Sequence, residues 1–252
     1  MVVLGTSGWN YVHWYRRFYP LGLAPREQLT YLARHFGSVE INSSFYRLPP
    51  EKYFQKWHSD TPEYFKFSVK VPRTVTHFKR LVDVEDDWAA LLRATRPLQK
   101  KLSIYLCQFP PGYKATGDTL AQMEGFIALV SASQVRVAYE LRHASWFEPA
   151  ALKMFTRTRA CLVQADSSRY PHTPAGFAPA AFSYYRFHGP RQLYASQYTD
   201  DELRGWAALM STDRAAGKDV YVYFDNDMNG FAISDAKRLQ SMLGAETVGA
   251  TI

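Results

Sequence analysis

Two cysteines in 252 residues are too few for a disulfide framework. Neither Cys107 nor Cys161 stands in a CxxC or other metal-ligand spacing. Both sit inside apolar runs, where a thiol acts as a small core residue, and a reducing compartment fits them. Long hydrophobic runs are missing too. The most apolar stretch, Phe126-Ile127-Ala128-Leu129-Val130, is far too short to span a bilayer. The opening segment MVVLGTSGW lacks the basic start and extended apolar stretch of a signal peptide. Together these absences predict a cytoplasmic protein with no membrane contact. There is no Walker loop, GxGxxG fingerprint, internal repeat, low-complexity tract or domain-splitting linker. Residues 1–252 therefore read as one domain.

Basic charge, by contrast, is in excess. Thirty Lys and Arg face twenty-three Asp and Glu, a net +7. Such an excess favours anionic partners: nucleic acid, phosphorylated metabolites or an acidic surface. The hydrophobic share of 47% is enough for a full core.

Short β-rich runs alternate with helix-period runs almost to the end. Candidate strands are Val2–Gly5, Ser38–Ile41, Phe65–Lys70, Leu102–Gln108, Val135–Leu141, Cys161–Asp166, Phe182–His188 and Asp219–Asp225. Strand followed by helix, repeated, predicts a parallel sheet. Eight repeats in this length predict closure into a single (β/α)₈ barrel of the TIM type, which needs about 250 residues. The intervening helices carry apolar stripes, such as Leu29, Leu32, Ala33 and Phe36, or Leu203, Trp206, Ala207 and Met210 after the cap signal Thr199-Asp200. The segment SSRYPHTPAGFAPAA (167–181), with Pro171, Pro174, Gly176 and Pro179, cannot sustain a long helix, so a loop is expected in place of the sixth.

Side chains alternate faces along a strand. In the second strand Val39 and Ile41 oppose Glu40 and Asn42. Lys70 opposes Val69 in the third, Glu140 and Arg142 oppose Tyr139 and Leu141 in the fifth, and Gln164 and Asp166 oppose Val163 and Ala165 in the sixth. Arg186 and His188 oppose Tyr185 and Phe187 in the seventh, and Asp225 opposes Phe224 in the eighth. The polar members gather at the carboxyl ends, where barrel enzymes carry their active sites. Unpaired charges there would cost several kcal/mol each, so a mutually compensating cluster is expected. Its acids are Glu40, Glu140, Asp166 and Asp225; its bases are Lys70, Arg142, Arg186 and His188, with His143 just beyond. Arg73, His77, Lys79, Arg80 and Arg191 add positive charge from the loops. Arg forks match carboxylate and phosphate geometry, so an anionic, phosphate-bearing ligand is the expected guest.

Gly5-Thr6-Ser7-Gly8-Trp9 after the first strand allows a tight turn, and Trp9, Tyr11, His13 and Trp14 could stack on a sugar or base or form a packed lid. Asp225-Asn226-Asp227-Met228-Asn229-Gly230 begins like a calcium loop, but the twelfth position is Ala236, so an EF-hand is rejected. Carboxylates and His188 could hold a divalent metal, as in barrel isomerases and nucleases, although the neighbouring cations oppose it. Paired carboxylates such as Glu140 and Asp225 also suit glycoside hydrolysis.

The segments GTSGW (5–9), HW with FYP (13–20), VEINSSFYRLP (39–49), FSVKVPRTVTHFKRL (67–81), QFPP (108–111), YELRHASWF (139–147), AD (165–166), YRFHGP (185–190) and YVYFDND with Gly230 resemble the YecE-like family, domain of unknown function 72. The resemblance implies a (β/α)₈-type barrel and carries no established reaction. Its motifs fall on the same strand ends, including Gln108. Two departures are local: Ser103-Ile104 where Gly-Pro is expected, and Ala144 where Pro is expected after His143.

The leading expectation is an enzyme working on a phosphorylated or other anionic substrate by general acid–base, hydrolase-like chemistry. Glu140 would be acid or base, His188 a proton shuttle, and Asp225 and Glu40 orienting groups. Lys70, Arg142 and Arg186, with His143, Asn42, Gln108, Asp166, Trp9 and Trp14, would bind substrate. No cofactor is predicted. Two alternatives stand beside it: a non-catalytic nucleic-acid-binding protein using Trp9, Trp14, Phe45 and Tyr46, and a divalent-metal-dependent isomerase or nuclease.

Overall fold

A glycine at position 5 lets the first strand lie unusually close to its neighbour. A Cβ there would stand 1.9 Å from the Ser38 carbonyl oxygen. In the computed structural model, which describes residues 1–244, this strand, β1 (Val2–Ser7), pairs in parallel with β2 (Ser38–Ile41) on one side and with β9 (Asp219–Phe224) on the other. The ladders continue through β3 (Lys66–Lys70), β4 (Leu102–Gln108), β5 (Val137–Glu140) and β6 (Cys161–Leu162) in one direction, and through β8 (Phe182–Phe187) to β7 (Gln164–Asp166) in the other. Segments β6 and β7 are halves of one strand broken at Val163. The first half pairs with β5 and the second with β8, so the chain itself closes the barrel. At the break the Val163 amide bonds Tyr139 O at 2.9 Å, and its carbonyl accepts from Thr173 Oγ1 at 2.6 Å.

The helices are α1 (Gln28–Ala33), α2 (Ser43–Tyr46), α3 (Glu51–Ser59), α4 (Glu85–Thr95), α5 (Gly117–Ala132), α6 (Pro149–Thr158), α7 (Asp200–Ala215) and α8 (Phe231–Leu243). Their apolar stripes bury against the outward faces of the strands. Leu29, Leu32 and Ala33 do so from α1, Met123, Phe126, Ile127 and Val130 from α5, and Leu203, Ala207 and Met210 from α7, with Trp206 half-buried. The expected cap of α7 is present: Thr199 Oγ1 accepts the Glu202 amide, and Glu202 returns to the Thr199 amide at 2.7 Å. No helix follows β7 before β8, as the prolines of 167–181 dictate. This is the α/β TIM-type fold expected from the strand pattern.

Strand ends shift by a residue or two. The fourth strand carries a bulge, since Phe67 faces Leu102 while Ser68 faces Ile104. Ser103, where the resemblance led one to expect Gly-Pro, is the extra residue.

A second, smaller core fills the barrel. Val3, Ile104, Leu106, Ala138, Cys161, Val163, Ala165, Tyr184 and Tyr223 meet inside it. Above them the interior turns polar. Tyr223 OH bonds Ser38 Oγ at 2.6 Å and Ser68 Oγ at 2.8 Å, forming a hydroxyl layer beneath the charged mouth. Cys107 and Cys161 are free and buried, and burial pushes both thiols up, away from reactivity. Among the described residues no helix is long and apolar enough to cross a membrane.

Candidate functional site

Arg186 comes first in the site because it is wholly buried. It lies on the inward face of β8, and burying its charge demands carboxylates from neighbouring strands. Glu40 of β2 supplies a fork: Oε2 accepts from Arg186 Nε at 3.0 Å and Oε1 from NH2 at 2.6 Å. Glu140 of β5 accepts from NH1 at 2.5 Å, and Asp225 beyond β9 accepts from NH2 at 3.2 Å. One guanidinium thus ties three strands together at the mouth.

The remaining lone pairs are taken up as a buried network requires. Ser7 Oγ donates to Glu40 at 2.7 Å, and Tyr184 OH at 2.6 Å. Gln108 Nε2 and Arg142 Nε each reach Glu140 Oε1 at 2.9 Å. His188, also buried, lies 3.0 Å through Nδ1 from Asp225 and 3.2 Å through Nε2 from Glu140. Burial acts to raise the Glu140 carboxyl, but Arg186, Arg142 and His188 outweigh it and hold the group well below its usual range. Asp225 is depressed in the same way, burial being overcome by Arg186, His188 and Lys70.

Lys70, at the inward-facing end of β3, differs from the other cations. Among the described residues its ammonium has no carboxylate, carbonyl or hydroxyl partner. It lies 4.2 Å from the centre of the Phe45 ring, donated by α2. Burial, then Arg186, lowers it to about 8, against the pull of Asp225, Glu140 and Glu40. Arg142 is similarly incomplete: its side chain is 9% exposed, its face stacks 4.3 Å over Tyr170, and its NH2 is buried without a partner. Arg73 and Arg80 stand nearby without ion pairs among the described residues. The cationic character of this rim registers on His77, which burial, Lys70, Arg142, Arg73 and Arg80 together push down to about 4. Rim residues 74–78 form a π-helical turn, and Arg80 and Leu81 both adopt positive φ. The other two loop cations are spent, Lys79 on Asp87 and Arg191 on Glu202.

The structure brings together Glu40, Glu140, Asp225, Arg186, His188, Gln108, Arg142 and Lys70. It does not place the other expected residues with them in the same way. Asp166 lies on the outer face, because its register partner is Phe187 while Arg186 pairs with Ala165. Its carboxylate accepts from Tyr198 and lies 3.5 Å from His172, so it ties down the 167–181 loop. The expectation that it joins the mouth is corrected, since the break at Val163 leaves Cys161, Val163 and Ala165 on the inner face. Trp14 is corrected too. It is fully buried against Tyr11, Phe18 and Tyr19, its indole N–H on the Asp227 carbonyl at 3.1 Å, so no ligand can stack on it. His143 caps the turn Ala144–Phe147, accepting the Ser145 amide. Trp9 and Asn42 border an adjoining cleft of about 340 Å³ with Tyr11 and Trp57, into which Gly8 turns at φ 88°. Asn42 Oδ1 is buried there without a partner.

Four contributors escaped the sequence reading: Ser7, Tyr184, Tyr194 and Asp227. Tyr184 was within reach, being two residues before Arg186 on the same strand face. Tyr194 bonds Arg142 and packs 5.8 Å from His188, from a loop without periodicity. Asp227 follows the last strand, where alternation gives no guidance. Its carboxyl is pushed up to about 6 by burial and then by Asp225. Between about pH 4, where an unfolded Asp titrates, and pH 6 the folded protein therefore keeps a proton that the unfolded chain has lost. Stability falls as pH rises through that window. Asp227→Asn is expected to raise stability at pH 7.5 by about 1–3 kcal/mol and to change it little at pH 4. Thermal denaturation at both pH values checks this, and an equal gain at both would refute it.

Eight parallel strands, an apolar lower interior and a charged, internally paired mouth define a TIM-type α/β barrel with its candidate site at the carboxyl ends. The family model described as "Protein of unknown function DUF72" matches residues 3–251, and the chain belongs to that family. It is 25% identical over 282 aligned residues to UPF0759 protein YunF of Bacillus subtilis, covering 99% of this chain and 97% of that protein. It is 31% identical over 110 residues to UPF0759 protein YecE of Escherichia coli, covering 44% of this chain and 38% of that one. The crystal structure of a DUF72 family protein from Thermotoga maritima superposes with a TM-score of 0.86 at 28% identity, covering 96% of this chain and 99% of the other.

Proposed function

We propose that the barrel mouth belongs to an enzyme that takes a phosphorylated or otherwise anionic substrate and transforms it by general acid–base chemistry. The observation that carries this reading is a pair of cationic donors without a protein acceptor at the mouth, the half-buried Lys70 ammonium beside the Phe45 ring and the buried NH2 of Arg142. A buried donor seeks an acceptor, and an anion with several oxygens can serve both groups. Arg73 and Arg80 extend the attraction outward.

The geometry favours a different division of roles from the one the sequence suggested. A general acid or base needs a pKa near working pH. Glu140 is held well below its usual range by Arg186 and Arg142, with His188 beside it, so it suits the task of orienting Arg142 and His188. Asp227, pushed up to about 6, and Lys70, lowered to about 8, fit proton transfer better. The same clamping disfavours Glu140 as the proton-donating acid of a glycosidase. Metal chemistry finds little support: Arg186 fills the space between Glu40, Glu140 and Asp225, and no group of three or more His, Cys, Asp or Glu among the described residues is arranged to hold a metal.

Calorimetric titration with inorganic phosphate and simple phosphate monoesters at low salt tests the proposal. One saturable site, weakened by added salt, is the expected result; no anion binding at low salt overturns it. A second reading, single-strand nucleic-acid binding, rests on an exposed rim where Arg73 lies over Tyr46 and Phe78, which are 69% and 66% exposed. It predicts that an oligonucleotide binds more tightly than a mononucleotide. Equal affinities exclude it.

A further inference from the structure

A lysine amine inside a folded protein ordinarily spends its hydrogens on oxygen acceptors. This chain follows the rule elsewhere: Lys66 donates to Lys100 O at 2.9 Å, and Lys101 to His58 O and Thr61 O at 2.7 and 2.8 Å. Lys218 reaches Asp213 and the Ala178 carbonyl. Lys70 is the exception among the described half-buried and buried lysines, with only the Phe45 ring beside it. It also occupies the position from which a nucleophile can act, the inner face of a barrel strand at its carboxyl end.

We infer that Lys70 is a covalent nucleophile that forms an imine with the carbonyl group of an anionic aldehyde or ketone substrate. This rests on the anion-binding reading above and narrows its substrate class to carbonyl compounds that also carry a phosphate or carboxylate. Arg142, with its unfilled NH2, would seat the anionic group.

Two features of the surroundings make the chemistry workable. Imine formation needs the neutral amine, and burial beside Arg186 lowers Lys70 to about 8, so a substantial neutral fraction exists near pH 7.5. Dehydration needs an acid and a base close by. Asp227, two residues beyond Asp225 and pushed up to about 6 by burial and then by Asp225, is assigned the part of giving and taking back that proton. The amine lone pair attacks the carbonyl carbon as the C=O π bond breaks, and one amine proton passes to the oxygen, giving a neutral carbinolamine. Asp227 then protonates the hydroxyl, the C–O bond breaks as the nitrogen lone pair forms C=N, and water leaves; the remaining N–H proton of the iminium returns to the Asp227 carboxylate when the neutral imine forms. The overall change is amine plus carbonyl to imine plus water, with no oxidant or reductant. Once formed, the imine draws electrons from the adjacent carbon. A bond to that carbon can then break with its electron pair taken up by the protonated imine: a C–H bond in isomerisation, a C–C bond in aldol cleavage or decarboxylation.

Borohydride trapping tests the inference on the full-length chain. Protein is mixed with dihydroxyacetone phosphate as a phosphate-bearing ketone probe, reduced, digested and mapped by mass spectrometry. A parallel sample holds excess inorganic phosphate, and another uses unphosphorylated dihydroxyacetone. The expected result is one reduced adduct per chain on Lys70, strongly suppressed by phosphate, and at least about tenfold weaker with the uncharged ketone, the scale of one charge-assisted hydrogen bond. Lys70→Arg, which keeps the charge and cannot form an imine, should lose the adduct while still binding inorganic phosphate. Adducts scattered over surface lysines, or none on Lys70 in a protein that binds phosphate, overturn the imine and leave the anion site standing. Absence of phosphate binding by the unaltered protein removes the anion site itself.

Discussion

Replacing Arg186 with methionine is expected to unfold much of the protein at neutral pH. The guanidinium is the shared partner of Glu40, Glu140 and Asp225, and both glutamates are almost completely buried. Removing one partner of a buried ion pair costs about 3–5 kcal/mol, and here three carboxylates lose the same partner. Domains of this kind hold about 5–15 kcal/mol in total. The loss should depend on pH with a definite sign. In the unaltered protein Glu140 and Asp225 are held below their ordinary range. Their contribution is present above about pH 4 and is lost as pH falls through the folded-state values. In the variant the largest of the opposing charges is gone, leaving Arg142 and His188 beside Glu140 and His188 and Lys70 beside Asp225, so burial raises both carboxyls relative to the unaltered protein and its stability falls as pH rises. The gap between the two proteins should be widest near pH 7.5 and narrow toward pH 5. Urea denaturation at the two pH values decides the matter. A variant as stable as the parent, or one with equal deficits at both pH values, contradicts the account of Arg186 given above. Restoring neutrality with Glu40→Gln in the same chain should recover part of the loss.

The second large effect concerns ligand affinity. Lys70→Met together with Arg142→Met should weaken phosphate binding by at least about a hundredfold, since each charge-assisted hydrogen bond is worth about 1.5–3 kcal/mol. The fold should survive. Glu140 keeps Arg186, His188 and Gln108 as partners when Arg142 is gone, and Lys70 makes no polar contact to lose. Calorimetric titration checks the affinity, and thermal denaturation checks the fold. Retained affinity in a folded double variant would move the anion elsewhere on the surface.

The barrel was legible because its evidence is periodic. The helix stripes and the alternation of Val39, Glu40 and Ile41, or of Tyr185, Arg186 and Phe187, depend only on the geometry of strands and helices. The inner cluster was legible for the same reason: Glu40, Lys70, Glu140, Arg186 and Asp225 all stand one alternation away from an outward apolar neighbour. Asp166 misled because the sixth strand puts its small apolar residues inward and its polar ones outward, a reversal that only the pairing of Ala165 with Arg186 reveals. Trp14 misled because closeness in sequence to Gly8 and Trp9 says nothing about depth. Asp227 and Tyr194 could not be found at all. They reach the mouth from loops, where no repeat relates position to direction, and the importance of Asp227 lies in a proton affinity set by neighbours far away in sequence.

The inner charges nearly cancel. Glu40, Glu140 and Asp225 face Arg186, Arg142 and Lys70, so the excess of +7 resides on the outer surface and the rim. Guidance and grip are therefore separated in space. The field that draws an anion in from a distance comes from exposed groups such as Arg73 and Arg80, whereas the donors that hold it are packed against the keystone arginine. Changes at the rim alter arrival rates and their ionic-strength dependence, and changes beneath alter how long the guest stays. The loop bearing the rim can therefore vary while the grip is preserved.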